Sequence, residues 1–401
     1  AAYLKYLKVC RSVLDETAPH GKIAGPTVCT ADVRWIAQVL HLGGGRYLDY
    51  LSMHPYCDVP EDYDLAERIR EIVQEGRRLV PGKKLPVLAT EAGKQYSQIL
   101  RNNRIDEKSR RCMAEDLRAM LLAFSGGAEC YVQFKCKPSP HGTTWNILAG
   151  GNPDNRSLPV LLPIAYGIRT MADMIGDFPH VANVRLGEEN RGMIFDRGSD
   201  RVAVLWKWRG KPARPDVRTL EKTGTFHDVM GNAFPPGGLI LDEYPVYYTT
   251  SLAAAPLARA LESLDIPMDQ EPCRIECRAT DIGHFMVSGQ NRSNRPCDIS
   301  LTVKTADGKR TAVRAALSPG ERKEWRIPSP RPLNRIPQSV SVSLRSSRWR
   351  AWGRCLPWGG WRGEGHAESP ARGGLLFSPC PRLGARSGSR TSASPPLTQR
   401  R

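Results

Sequence analysis

From residue 1 to about residue 180, two spacings of apolar positions alternate along the chain. AAYLKYLKVCRSVLDETA (Leu4, Leu7, Val13, Leu14) and DLAERIREIVQEGRRLV (Leu65, Ile69, Ile72, Val73) place their apolar residues on one face of a helix. Between such segments lie short apolar runs bounded by Gly, Pro and polar residues. KIAGPT (22–27), YLDYLSMHPY (47–56), LPVLATEAG (85–93) and ECYVQFK (129–135) are therefore predicted as strands. Further helices are predicted over 33–40, over 107–124 and within SLPVLLPIAYGIRTMADMIG. Strand and helix alternating at this interval indicate βα units on a parallel sheet. Four units correspond to half of a (β/α)8 barrel, or to most of an open doubly wound sheet.

Near residue 180 the period changes to two. RGMIFDRGSDRVAVLWKWRG is predicted as a strand pair about a polar turn, and LILDEYPVYYTT as another strand, giving a small antiparallel β-sandwich over 181–255. DISLTVKT, TAVRAAL and SPGERKEWRIP predict a second β-sandwich-like module over 256–345. Residues 346–401 are rich in Arg, Gly, Pro, Ser and Trp and have no period, so a disordered extension or an out-of-frame translation is expected there. Trp349, Trp352, Trp358 and Trp361 acting as a binding element is the sharper alternative. The expected fold class is thus α/β plus all-β: a partial TIM (β/α)8 barrel over 1–180, two β modules and a non-globular tail. Because Ala1 falls inside a helical pattern, the chain reads as a fragment whose upstream part is missing.

The net charge of +17 first suggests nucleic acid, but its distribution does not. The last 56 residues carry ten arginines, no lysine and two glutamates, about half of the excess. The remainder is diffuse and is not interleaved with aromatic residues, so no nucleic-acid partner is expected. No apolar run reaches the length of a transmembrane helix. The 11 cysteines include no CxxC pair, which supports neither a zinc site nor a regular disulfide framework. Cys130 with Cys136, or Cys273 with Cys277, are close enough in sequence to pair, although isolated buried thiols are the commoner outcome.

In parallel βα architectures the chemistry sits at the carboxyl ends of the strands. The predicted strand ends carry Glu91, the pair His54 and Tyr56, and Gln133. A carboxylate there suits glycoside hydrolysis, in which one carboxyl group is the acid/base and another the nucleophile or water activator. A tyrosine or histidine beside it would orient it and keep it ionised. Phe134 and Trp145 are candidate faces for a sugar ring. Trp206 and Trp208 share a strand face with Val202 and Val204 and are expected in the core. The sequons at Asn155 and Asn291 are too common to count.

The order KIAGPT, a strand ending HPY, LPVLATEAG, then a strand leading to a Trp-containing loop resembles the carboxyl-terminal half of a retaining glycoside hydrolase barrel, especially families 5 and 39. The resemblance covers roughly residues 1–255, through VAVLWKW, FHDVMGN and PVYY. It implies barrel strands five to eight, Glu91 as nucleophile, and His54 and Tyr56 at the strand-six position. Gln133, Phe134 and Trp145 would contact a carbohydrate substrate, with no metal or organic cofactor. It also implies an acid/base glutamate in an Asn-Glu pair after strand four, upstream of Ala1, so the chain alone is expected to be inactive. Two other readings remain open: a carbohydrate-binding or cell-surface protein on a glycosidase scaffold that has lost catalysis, and an unrelated α/β enzyme with Glu91 as a general base.

Overall fold

The computed structural model describes residues 2–94, 107–134, 148–149, 160–220, 222–269, 273–281, 284–304, 310–328, 340–346, 350–355 and 361–364. The first region comprises α1 (Ala2–Thr17), α2 (Val33–His41), β1 (Leu51–Met53), α3 (Leu65–Leu79), β2 (Val87–Ala92), α4 (Glu107–Gly126), β3 (Ala128–Gln133), β4 (Leu148–Ala149), β5 (Val160–Leu161) and α5 (Pro163–Met174). Next come β6 (His180–Val184), β7 (Asn190–Asp196), β8 (Arg201–Lys207), β9 (Gly224–His227), β10 (Ala233–Phe234), β11 (Val246–Thr250) and α6 (Ala254–Glu262). The final strands are β12 (Cys273–Asp281), β13 (His284–Asn291), β14 (Cys297–Lys304), β15 (Arg310–Leu317), β16 (Arg322–Pro328), β17 (Val340–Ser346), β18 (Arg350–Cys355) and β19 (Trp361–Glu364).

β1, β2 and β3 form a parallel sheet in sequence order. Ahead of them, the segment expected as a full strand at KIAGPT is reduced to a single parallel bridge, Ala24 to Tyr50. Pro26 has no N–H with which to extend that ladder. Sequential order keeps the crossover helices of these three strands in one layer, as in an arc of a barrel or in one half of a doubly wound sheet. The packing agrees: Leu51, Met53 and Val87 share one cluster with Ile36 and Val39 of α2, Leu65, Ile69 and Ile72 of α3, and Met120 of α4.

The opposite face of this sheet is polar. Thr27 Oγ1 donates to Ser52 Oγ at 3.0 Å, and Ser52 Oγ lies 2.6 Å from Thr90 Oγ1. Helix α3 illustrates why the first face is dry, since its Leu65, Ile69 and Ile72 are all fully buried. Burying each such side chain contributes about 1.5–3 kcal/mol relative to exposure.

The expected module boundary near residue 180 does not separate two cores. Strands β6 to β11 form one six-stranded antiparallel sheet, not the two facing sheets of a sandwich. One of its faces (Met193, Phe195, Val202, Val204, Trp206, Tyr247) joins the cluster that holds the α2, α3 and α4 residues. Its other face (Ile194, Ala203, Leu205, Val246, Tyr248) packs with Leu257 and Leu261 of α6. A strand buried on both faces needs apolar residues on both, which explains why RVAVLWK reads as a nearly continuous apolar run. Trp206 is fully buried in that first face and presents no open platform.

Residues 1–277, 286–299 and 314–326 form one compact unit, and residues 278–285, 300–313 and 327–401 a second. β12, β13 and β16 order as one sheet, and β15, β14, β17, β18 and β19 as another. Part of the segment expected to be non-globular is therefore strand: β18 pairs with β17 from Val340↔Cys355 to Arg345↔Arg350, and with β19 from Trp352↔Glu364 to Cys355↔Trp361.

One buried carboxylate joins the loop after β1, helix α4 and strand β8. Glu61 accepts from Arg118 Nε at 2.8 Å and from Trp206 Nε1 at 2.8 Å, and Arg118 also donates to the Glu243 carbonyl at 2.9 Å. The Arg118 and Glu61 side chains are 2% and 0% exposed. Removing one partner of such a pair leaves an uncompensated buried charge. Arg118→Met is expected to destabilise the protein by about 3–5 kcal/mol in urea denaturation. A loss below about 1 kcal/mol, the scale of a surface pair, would contradict this account.

Candidate functional site

The site begins with an irregularity in β2. Ala89 pairs with Tyr131 and Ala92 with Gln133, so β2 takes three steps where β3 takes two. One extra residue is thus inserted on β2, a β-bulge at Thr90-Glu91 opposite Val132. Bulges of this kind re-aim a side chain and are frequent next to active sites. Ala89 and Ala92 are buried, and Ala89 pairs with Tyr131, which packs against the helix-layer core. The bulge lets the two residues between them both leave that layer, and Thr90 accordingly meets Ser52 on the polar face. Without the insertion, strict alternation would turn Glu91 toward the helices.

Glu91 meets the segment that follows β1. His54 N–H donates to the Val28 carbonyl at 2.7 Å, and Tyr56 N–H donates to the His54 carbonyl at 2.7 Å, a tight turn about Pro55. That turn brings Tyr56 Oη within 2.6 Å of Glu91 Oε1, to which it donates. His54 Nδ1 lies 3.9 Å from Glu91 Oε2, and the two rings stand perpendicular with centroids 6.4 Å apart. The Glu91 side chain is 35% exposed, so it is held at one oxygen yet open to a ligand. Burial, then the hydrogen bond to Glu91 and the charge of that carboxylate, push the Tyr56 phenol above its ordinary range. Tyr56 therefore stays a donor at every physiological pH.

Residues that the sequence did not single out fix this geometry. Lys94, three positions after Glu91, donates to the Cys57 carbonyl at 2.5 Å and to the Asp58 carbonyl, and pairs with Glu115 at 3.3 Å. It thereby ties the end of β2 to the chain just beyond Tyr56. Burial pushes the Cys57 thiol up to about 12, which removes it as a nucleophile at neutral pH. No local sequence signal marks Lys94, because its partners, two backbone carbonyls and Glu115, are distant in sequence.

Gln133 is bonded to neither Glu91 nor Tyr56, although the charge of its partner Asp116 acts on the Tyr56 phenol. Its Nε2 donates to Asp116 Oδ2 of α4 at 2.7 Å, and Asp116 also accepts from Tyr131 Oη at 3.4 Å. Tyr131 and Gln133 are two apart on β3 and so share the helix-facing side, which directs Gln133 away from the polar face. Phe134 is half-buried, and its N–H donates to the Ala92 carbonyl at 2.7 Å. Trp145 and Cys136 lie outside the described residues. Trp208 is partly buried, its ring lying under the Arg191 and Arg209 guanidinium groups at 5.4 and 4.2 Å. Among the described residues no group of three His, Cys, Asp or Glu is arranged to hold a metal ion. No helix among them is long and apolar enough to cross a membrane.

No family model matches the chain, and no curated protein does. Among solved structures it is similar to a GH30 endoxylanase from Clostridium papyrosolvens C71, at 9% identity and TM-score 0.39, over 62% of this chain and 60% of that one. It is also similar to BpGH86A, a beta-porphyranase of glycoside hydrolase family 86 from the human gut bacterium Bacteroides plebeius. There the identity is 10% and the TM-score 0.40, over 89% of this chain and 71% of that one. A third similarity is to wild-type BuGH86 in complex with neoagarooctaose, at 11% identity and TM-score 0.39, over 81% and 62% of the two chains. The chain spans about three fifths of the length of the endoxylanase. Likenesses this loose assign neither residues nor substrate to this chain.

Two outcomes follow from the site geometry. An added Cβ at Gly93, where φ is +153°, would lie 2.7 Å from the Phe134 carbonyl oxygen and 2.7 Å from Gln133 Nε2. Gly93→Ala is therefore expected to cost about 1–3 kcal/mol in urea denaturation, and an unchanged midpoint would contradict the packing described. Because the Tyr56 phenol is raised, Tyr56→Phe should leave the tyrosinate absorbance that develops between about pH 9 and 11 unchanged. A fall by one tyrosine's share would show that Tyr56 ionises normally and does not hold Glu91.

Proposed function

We propose that this chain is the carboxyl-terminal part of a retaining glycoside hydrolase barrel, with Glu91 as the nucleophile. The observation that carries the reading is the 2.6 Å hydrogen bond from Tyr56 to Glu91 at the carboxyl ends of parallel strands in sequential order. A donor on one oxygen leaves the other free to attack. In this reading Glu91 Oε2 forms a bond to the anomeric carbon as the glycosidic bond breaks, and a second carboxylic acid protonates the departing oxygen. The second group then deprotonates water, which displaces Glu91 and releases the sugar with retained configuration.

His54 stands beside Glu91 Oε2 and acts as a positioning residue that limits the rotation of the carboxylate. Asp116 is not assigned as the proton donor, since it is buried and holds Gln133 and Tyr131 on the helix side. The proton donor is a second carboxylic acid outside Glu91, His54 and Tyr56, and the substrate class is an oligo- or polysaccharide. The absence of an Asn-Glu pair upstream, at the end of a fourth strand, would favour a carbohydrate-binding protein without catalysis.

The test is a comparison of Glu91→Gln with the unaltered protein in the longest natural chain that carries this segment, assayed on a panel of aryl glycosides. Turnover of the best substrate is expected to fall by on the order of 10⁴-fold or more, with sugar binding retained. Undiminished turnover would overturn the assignment of Glu91.

A further inference from the structure

We propose that Cys273 and Cys297 are a thiol-oxidation site and form a disulfide cross-link between the starts of β12 and β14. Their sulfurs lie 2.8 Å apart, although 24 positions separate them in sequence. Both belong to the same compact unit. The pairing considered from sequence spacing, Cys273 with Cys277, is excluded by the fold. Both positions lie in the extended strand β12, so their α-carbons are about 13 Å apart, well beyond the reach of a disulfide.

Hydrogen bonds that involve neither sulfur order the chain ahead of both strand starts. Before Cys297, the buried Asn291 donates to the Arg295 carbonyl at 2.7 Å and to the Leu317 carbonyl at 3.0 Å, while its Oδ1 accepts from Ser293 N–H at 2.9 Å. Asn294 reaches the end of α6 through the Leu264 carbonyl at 2.9 Å. Asn291 is thus a structural residue of this turn, and its sequon is not displayed for glycosylation. Before Cys273, Asp269 N–H donates to Glu189 Oε2 at 3.0 Å, and Glu189 is paired in the interior with Lys207 at 2.6 Å.

Their environments divide the chemistry between them. Cys273 is 2% exposed, and Cys297 is half-buried. The hydrogen bond from Cys273 lowers the Cys297 thiol against the opposing effects of burial and of Asp298. Cys297 is thus the attacking thiolate and Cys273 the resolving thiol. With a low-molecular-weight disulfide such as glutathione disulfide as the oxidant, Cys297 sulfur attacks one of its sulfurs. The S–S bond breaks, and one glutathione leaves as a thiolate that takes up a proton. Cys273 then loses its proton to solvent, and its sulfur attacks the sulfur of Cys297 and expels the second glutathione. Two protein thiols are oxidised, and one disulfide is reduced to two thiols.

The full chain is incubated with glutathione disulfide, alkylated without reductant, digested with trypsin and analysed by mass spectrometry. Residues 260–274 and 293–304 should appear as one linked species, about 2 Da lighter than the two free-thiol peptides together. It should separate on reduction. In Cys297→Ala, a substitution at a half-buried position, the linked species should vanish and Cys273 should be fully alkylated. Recovery of both peptides fully alkylated from the oxidised wild-type chain would overturn the proposal. So would a persistent glutathione adduct on Cys297, or Cys273 linked to any other cysteine.

Discussion

The Glu61 carboxylate, wholly enclosed and held by Arg118 and Trp206, is the constraint on which the arrangement depends. It sits five residues after Tyr56 and contacts a helix of the parallel region and a strand of the antiparallel sheet. A buried charge has few tolerable arrangements, because displacing either donor strands it in a medium that cannot solvate it. The loop after β1, α4 and β8 are therefore fixed relative to one another by a single group. Hydrophobic burial supplies most of the driving force in the shared core but is non-directional. The ion pair supplies direction.

A second constraint turns that scaffold into a site. The bulge at Thr90-Glu91 gives β2 two consecutive residues off the helix side, one for the hydroxyl chain with Ser52 and one for Tyr56. Lys94 secures the opposing loop through the Cys57 and Asp58 carbonyls. Glu91 is thus approached from outside its own strand by groups held on β1 and its loop. The two cysteines at the starts of β12 and β14 belong to a different part of the unit and do not touch this group.

Much of the parallel region was legible in the sequence because its signals are local. The period of Leu65, Ile69 and Ile72 and the runs ending at Glu91 and at His54 and Tyr56 depend only on nearby residues, and the helices and β2 fall where that spacing put them. What failed is what depends on contacts distant in sequence. KIAGPT has strand composition, but Pro26 leaves it only a bridge. The boundary near 180 follows a real change of period, yet the antiparallel sheet turns one face into the same core as α3 and α4. Gln133 ends a strand, as the other candidate residues do, whereas its alternation along β3 sends it to Asp116. Lys94, Glu61 and Arg118 look like ordinary surface charges in sequence, and only tertiary structure buries Glu61 and Arg118 and gives Lys94 its partners.

We propose that Glu91 is the group which bonds covalently to a sugar. The most direct measurement is inactivation of the longest natural chain with a 2-deoxy-2-fluoro glycoside of its best-cleaved sugar, followed by peptide mapping. The account predicts one fluoroglycosyl group per molecule, carried on residues 85–94 and located at Glu91. A covalent label on any other carboxylate, or time-dependent inactivation with Glu91 unmodified, would contradict it.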